Sequence, residues 1–420
     1  MNNADYSRFG GLIKIFDSTN NVPPLRELRD GVYKVAASHG DIHFLIQGNL
    51  VPPIQNEIIT VMFHGDLSKR NSMSPPFFAG RGVQPAVASG PLISFSDPIV
   101  ESDSQCSLSW YAGSSQLDVP QLVSKTIDAL TDSDDRDVWM MGGSGGGFAA
   151  LNIAHAIKRP ISVLVWNPQS AIDKYNPKHV RNYFNSAYPE LVPSEEEYDV
   201  SGASRKIADA TGRSLDLSSV LSNGSSIERI LVLQNYNDWH IIPHTTPLVE
   251  ALDMKQCSPG IFSDGSGSRI AWFTELGEGH AAPETTVLVK LIRAIYNSPG
   301  ERLLNTVALL DSGELFPVKS YKSRPLDCRK FIDFISENLE LKLFKNSAAI
   351  SSDLFVVGQH RITYRFSLVR AGELLTQSDW IARMDWPMYR ENTPQNGDIV
   401  TTEVRDGFGH ILFTLEVRFE

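Results

Sequence analysis

The chain has little cysteine. Cys106, Cys257 and Cys328 are all that 420 residues contain, scattered, odd in number and never in a C-x-x-C pair. That excludes a disulfide framework and a cysteine-built zinc centre, and it fits a reducing compartment. Positive charge is also short: 38 Lys and Arg stand against 49 Asp and Glu, a formal net charge of −11. A nucleic-acid or anionic-membrane partner favours a basic patch, so neither is expected. No apolar run reaches the roughly 18 residues of a membrane span, and residues 1–9 lack a basic segment followed by an apolar one. The expectation is a soluble, cytoplasmic protein with no cofactor and no metal. Its hydrophobic content of 42% and charged content of 21% are globular values, and its length exceeds one ordinary domain.

What the sequence does have is glycine in one place. Gly142-Gly143-Ser144-Gly145-Gly146-Gly147 sets a G-x-S-x-G pattern between a strand-like run, 137–141, and a helix-like one, 146–157. It reads as a nucleophile elbow, a tight strand-to-helix turn whose small neighbours let the backbone pass without a Cβ clash. The competing reading is a Gly-rich turn or a phosphate cradle. No Lys follows as in a P-loop, and the spacing is not G-x-G-x-x-G.

A serine needs a base and an acid. The apolar run 230–234 leads into Asn235-Tyr236-Asn237-Asp238-Trp239-His240, which presents Asp238 just past a buried strand. The run 269–274 leads into Gly277-Glu278-Gly279-His280, a Gly-bracketed histidine ahead of a helix over about 284–296. Asp238 as a turn residue or helix cap, and His240 or His244 as rivals of His280, are the ordinary alternatives. The order Ser144, Asp238, His280 with these contexts resembles the α/β-hydrolase superfamily over about residues 30–298. The resemblance implies a mostly parallel sheet with helices on both faces, a catalytic triad, and an oxyanion hole. The hole's donors would be the N–H of Gly145 and, after the His64-Gly65 loop, the N–H of Asp66. An acidic side chain there opposes catalysis unless it is paired or points away. His64 has its own ordinary reading, a brace for the loop.

The rest of the chain orders itself around that unit. A hairpin is expected from 31–37 and 42–47, further strands at 58–63, 91–96 and 161–166, and a helix over 119–130. Between 167 and 228 polar and turn-forming residues dominate, as in a cap or lid, or a passive surface excursion. Phe77, Phe78, Trp110 and Tyr111 either line the cleft or pack. The hydrolase unit is set at 1–300 and a linker region at 301–345, with a short helix over 329–341. A smaller antiparallel β-sandwich follows at 346–420, with strands at 353–357, 362–369, 398–405 and 410–419 and turns at 370–373 and 406–409. That last part resembles immunoglobulin-like accessory domains. The resemblance implies a binding surface for a glycan or a protein partner, against a purely structural appendage.

Together these features imply a serine-triad acyl-ester hydrolase of the esterase or thioesterase type, acting on a small-molecule or carbohydrate ester. An O-acyltransferase using a glycan hydroxyl, and a non-catalytic binding or assembly protein on the same scaffold, are the two alternatives.

Overall fold

The computed structural model describes residues 4–48, 58–68, 73–83, 90–193, 198–224, 226–235, 238–258, 260–277, 279–298, 301–312, 339–344, 347–352, 363–381, 385–388, 393–405 and 411–419. An 11-stranded sheet forms the larger part. Its strands are β1 (Leu12–Phe16), β2 (Gly31–Val35), β3 (Ile42–Gln47), β4 (Ile58–Phe63), β5 (Leu92–Ser96), β6 (Asp137–Gly143), β7 (Ile161–Trp166), β8 (Ile227–Asn235), β9 (Lys255–Ser258), β10 (Ile261–Ser263) and β11 (Arg269–Thr274). They lie in the order β1-β2-β3-β5-β4-β6-β7-β8-β11-β10-β9. From β5 through β11 every pair is parallel, while β2, β3 and β5 pair antiparallel, as does the β11-β10-β9 edge.

The near-continuous apolar runs of the central strands follow from burial on both faces. Along β6, Val138 and Met140 point into one core, and Trp139 and Met141 into the other. The helices are α1 (Pro98–Ser102), α2 (Val119–Leu130), α3 (Gly145–Ala156), α4 (Pro177–Ala187), α5 (Val200–Thr211), α6 (Leu217–Leu221), α7 (Thr245–Ala251), α8 (Thr285–Tyr296) and α9 (Leu303–Ser312). Helices α2 and α3 close the first core, through Val123, Ile127, Phe148 and Leu151. Helices α8 and α9 close the second, through Leu291, Ile295, Leu303 and Val307. The expected hairpin, the strands at 58–63 and 161–166 and the helix over 119–130 all form.

Three elements depart from the sequence reading. The polar stretch 167–228 holds α4, α5 and α6, whose caps Asn176, Asp199 and Asp216 each accept a first-turn N–H. Its helical signal was in the caps and in a narrow apolar face, Val180, Tyr183, Phe184 and Ala187 on α4, rather than in overall composition. Helix α9 falls at the start of the 301–345 region set as a linker; Trp272 Nε1 donates to its Asp311 at 3.0 Å. Finally, 339–341, expected to end a helix, opens a strand because a hairpin partner is available to it.

That hairpin belongs to the C-terminal part, which is antiparallel β. Strands β12 (Leu339–Phe344), β13 (Ser347–Ser352) and β16 (Asp385–Pro387) form one sheet, and β14 (Thr363–Arg370), β15 (Glu373–Gln377), β17 (Ile399–Arg405) and β18 (Ile411–Arg418) form another. Phe366 stacks on Trp386 between them at 5.9 Å. The turn at 370–373 forms with Ala371 and Gly372 both at positive φ, the geometry a two-residue hairpin needs. The expected strand 353–357, the helix residues 329–338, the turn 406–409 and Cys328 lie outside the described residues. Among the described residues no helix is long and apolar enough to cross a membrane.

Candidate active site

Ser144 occupies the turn between β6 and α3 with φ 54° and ψ −121°, a region that costs a non-glycine residue roughly 1–3 kcal/mol. The surroundings over-determine it. Its N–H donates to Trp166 O at 3.0 Å, and its carbonyl accepts from Gly147, Phe148 and Gln169 at 3.0, 3.2 and 3.2 Å. Close packing accounts for the glycines: a Cβ on Gly146 would stand 2.5 Å from Phe63 O, and one on Gly65 3.0 Å from Gly143 O. The β4 loop therefore lies directly against the serine turn.

Asp238 follows β8 and His280 follows β11, so both stand at the carboxyl end of the sheet, on the same edge as Ser144. The Asp238 carboxylate is fully buried and its Oδ2 is 2.7 Å from Nδ1 of His280, whose side chain is 30% exposed. A carboxylate only accepts, so Nδ1 carries a hydrogen, and in the neutral tautomer so fixed Nε2 is the acceptor. Asp238 is also the cap it could have been instead: its Oδ1 accepts from His240 N at 3.0 Å. The two roles use different oxygens.

Of the rival histidines, His240 Nδ1 stands 3.9 Å from Asp238 Oδ2 and hydrogen-bonds the Asn167 carbonyl at 3.1 Å. It is fully buried, and burial, reinforced by neighbouring His280, pushes its pKa well below the ordinary histidine value although Asp238 pulls the other way. His244 is buried too, its Nδ1 accepting from Ser170 N at 3.3 Å. Of the three, His280 is the one that lines the cleft. Asp238, His240 and His280 carry ligand-type atoms within 4.8 Å of one another. The 2.7 Å Asp238–His280 contact is a hydrogen-bond length, shorter than the roughly 3.3 Å that two ligands keep around a tetrahedral zinc with bonds near 2.0–2.1 Å.

Two asparagines that the sequence reading passed over hold the His280 loop. Asn235, the last residue of β8, donates from Nδ2 to Gly277 O and Gly279 O at 2.9 and 2.5 Å and accepts Leu276 N at 2.9 Å. Asn167, just past β7, accepts Asn235 N at 2.7 Å and donates to Ala281 O at 2.7 Å. The loop is thus bonded on both sides of the histidine. A polar residue at the carboxyl end of a buried parallel strand is the signal that would have flagged them.

Ser144 and His280 share a cleft of ≈ 580 Å³ lined also by Gly65, Asp66, Trp166 and Tyr175. Among the described residues Ser144 Oγ is not hydrogen-bonded to the imidazole; it accepts from Gln169 Nε2 at 2.9 Å. The Tyr175 hydroxyl is pushed up to about 12, first by burial and then by the charges of Asp66 and Asp238, so it stays neutral. Gly145 opens α3, and its N–H has no intrahelical acceptor. The Asp66 carboxylate is engaged by Ser107 Oγ at 2.6 Å, with His179 Nδ1 at 3.9 Å. His64 braces its loop with both ring nitrogens, Nδ1 against Gly65 O at 2.9 Å and Nε2 accepting Asp97 N at 3.3 Å.

No family model matches the chain, and no curated protein matches it in sequence. Among solved structures it is similar to the capsule O-acetyltransferase of Neisseria meningitidis serogroup A, at 15% identity over 64% of this chain and 95% of that one, with a TM-score of 0.43. It is similar to an S-formylglutathione hydrolase from Agrobacterium tumefaciens at 14% identity, 65% and 95% coverage and a TM-score of 0.41. A third is the acylaminoacyl peptidase of Pyrococcus horikoshii, at 10%, 67% and 45%, with a TM-score of 0.43. The fold assignment rests on the strand order and on the strand–turn–helix at Ser144. The fold is of the α/β-hydrolase type. Helices cover both faces of its mostly parallel sheet, with antiparallel β added at the C-terminus.

Proposed function

We propose that the chain is a serine acyl-ester hydrolase working through an acyl-enzyme. The observation that carries this reading is the 2.7 Å bond from buried Asp238 to His280, in a cleft whose floor holds Ser144 on a strained turn. His280 Nε2 takes the Ser144 hydroxyl proton as Oγ bonds the ester carbonyl carbon, and the carbonyl oxygen becomes an oxyanion. The N–H groups of Gly145 and Asp66 receive that charge. Ser107 Oγ donates to the Asp66 carboxylate, so that side chain is hydrogen-bonded, which supports the use of its backbone N–H in this role. The tetrahedral species then expels the alcohol, which leaves with the proton from Nε2. Water attacks the acyl-serine, gives its proton to Nε2, and the acid departs as Oγ recovers it. In this reading Ser144 is the nucleophile, His280 the base, Asp238 the group that fixes its tautomer, and Ser144 sits at a nucleophile elbow.

Water needs no site of its own, so hydrolysis takes precedence over transfer to a sugar hydroxyl. The test is labelling by a fluorophosphonate probe followed by turnover of short-chain nitrophenyl esters. Labelling abolished by Ser144→Ala, with free acid released in step with nitrophenol, is expected. Equal labelling of Ser144→Ala would instead favour a non-catalytic scaffold. Acceleration by added oligosaccharide without matching free acid would move the assignment to an O-acyltransferase.

A further inference from the structure

Trp110 and Tyr111 are consecutive aromatic residues with φ of 54° and 52°, both fully buried. Left-handed backbone is rare for such residues, and two in a row persist only where the surroundings impose it. Buried Asp97 does so: its Oδ2 accepts Tyr111 N at 2.7 Å, and Tyr111 Oη donates to Phe95 O at 2.7 Å. The outcome of this turn is the aim of the Trp110 indole, whose Nε1 donates to Gln169 Oε1.

An indole nitrogen can only donate. The end of the Gln169 amide facing Trp110 must therefore be the oxygen, and the end facing Ser144 must be the NH₂. Gln169 is fully buried, its Nε2 donates to Ser144 Oγ at 2.9 Å, and its backbone N donates to Ser144 O at 3.2 Å. Ser144 Oγ is thereby fixed as an acceptor, and its own hydrogen is left to point elsewhere. His280 lines the same cleft, and with Nδ1 bonded to Asp238 its neutral ring offers Nε2 as an acceptor.

Building on the proposed hydrolase reading, we infer that Gln169 is a positioning residue that keeps Ser144 Oγ as a hydrogen-bond acceptor, leaving the serine proton for His280, and that Trp110 selects the end of the amide that does this. As the proton leaves, the same N–H faces the negative charge growing on Oγ. A glutamine with its amide reversed would present a carbonyl to Ser144, take its hydrogen and compete with the base.

The test is the rate of fluorophosphonate labelling of Ser144 in Q169M, W110F and the double variant, with thermal melts confirming that each is folded. Q169M should label about 10- to 100-fold more slowly, W110F more slowly than wild type, and Q169M/W110F no more slowly than Q169M alone, because the indole acts only through the amide. Losses that multiply in the double variant, or wild-type speed in Q169M, overturn the inference while leaving the hydrolase reading intact. Wild-type protein that fails to label at Ser144 overturns both. Should Q169M not fold, Q169E keeps an acceptor for Trp110, but its carboxylate draws the serine hydrogen once ionised. Its labelling rate should fall from about pH 6 to about pH 10, where that of wild type rises. Parallel profiles overturn the inference.

Discussion

His240 and His280 meet with ring centroids 3.9 Å apart and planes tilted by 50°, yet one is sealed in the core and the other opens to the cleft. The pairing makes the buried ring a liability in acid. A proton on His240 would be buried against His280 and His244, with Asp238 and the Asn167 carbonyl offsetting it only in part. Its pKa is depressed on folding, so the unfolded chain binds a proton that the folded core refuses. The stability gained from a neutral His240 is fully present above about pH 6.5 and is lost as pH falls below it. Thermal midpoints should drop from about pH 7 to about pH 5, and His240→Phe, which keeps a ring and removes the titration, should flatten that slope. An unchanged slope would assign the acid sensitivity elsewhere.

Steady-state kinetics separate the two histidines. His280→Ala should reduce turnover by about 10³-fold or more, whereas His240→Phe should leave the chemical step within about 10-fold. Asp238→Asn presents an NH₂ where the carboxylate stood and forces the wrong imidazole tautomer, so a loss of about 10⁴-fold is expected with little change in fold. The larger loss falling on His240 would reassign the base.

Asn235 supplies three hydrogen bonds to the His280 loop, at Leu276, Gly277 and Gly279. Asn235→Ala should lower kcat/KM about 10- to 100-fold by letting the imidazole drift, since roughly 1 Å of misplacement can cost that much. The circular dichroism spectrum should remain that of the wild type. Activity at the wild-type level would mean that Asn167 alone holds the loop.

The serine turn tolerates no added carbon at Gly146. An alanine Cβ there would meet backbone, Phe63 O at 2.5 Å and His64 O at 3.0 Å, so neither neighbour can rotate aside. Gly146→Ala should destabilise the protein by at least about 2 kcal/mol in urea unfolding. Gly265→Ala, where nothing lies within 4 Å, should stay within about 0.5 kcal/mol of wild type.

Much of the large sheet was legible in the sequence because burial on both faces writes itself as unbroken apolar runs, as in 161–166, and because α2 carries its apolar stripe at helical spacing. Strands β1, β9 and β10 were not. Lys255–Ser258 is exposed throughout and becomes a strand only because β10 offers it a partner. The same holds at Leu339, whose pairing with Ser352 outweighs a local helical pattern.

For the site, the chain by itself determined the chemistry on offer: a serine among glycines, an acid and a histidine each past a buried strand, in an order that one sheet can gather. Local sequence carries this because turn sterics and strand burial are local demands. Only the tertiary structure decided which imidazole the acid holds, 2.7 Å from one and 3.9 Å from the other, and that Gln169 bonds Ser144 while Asn167 and Asn235 hold the His280 loop. Hydrogen-bond partners depend on distances and donor directions between segments far apart in the chain, and no spacing along it encodes those.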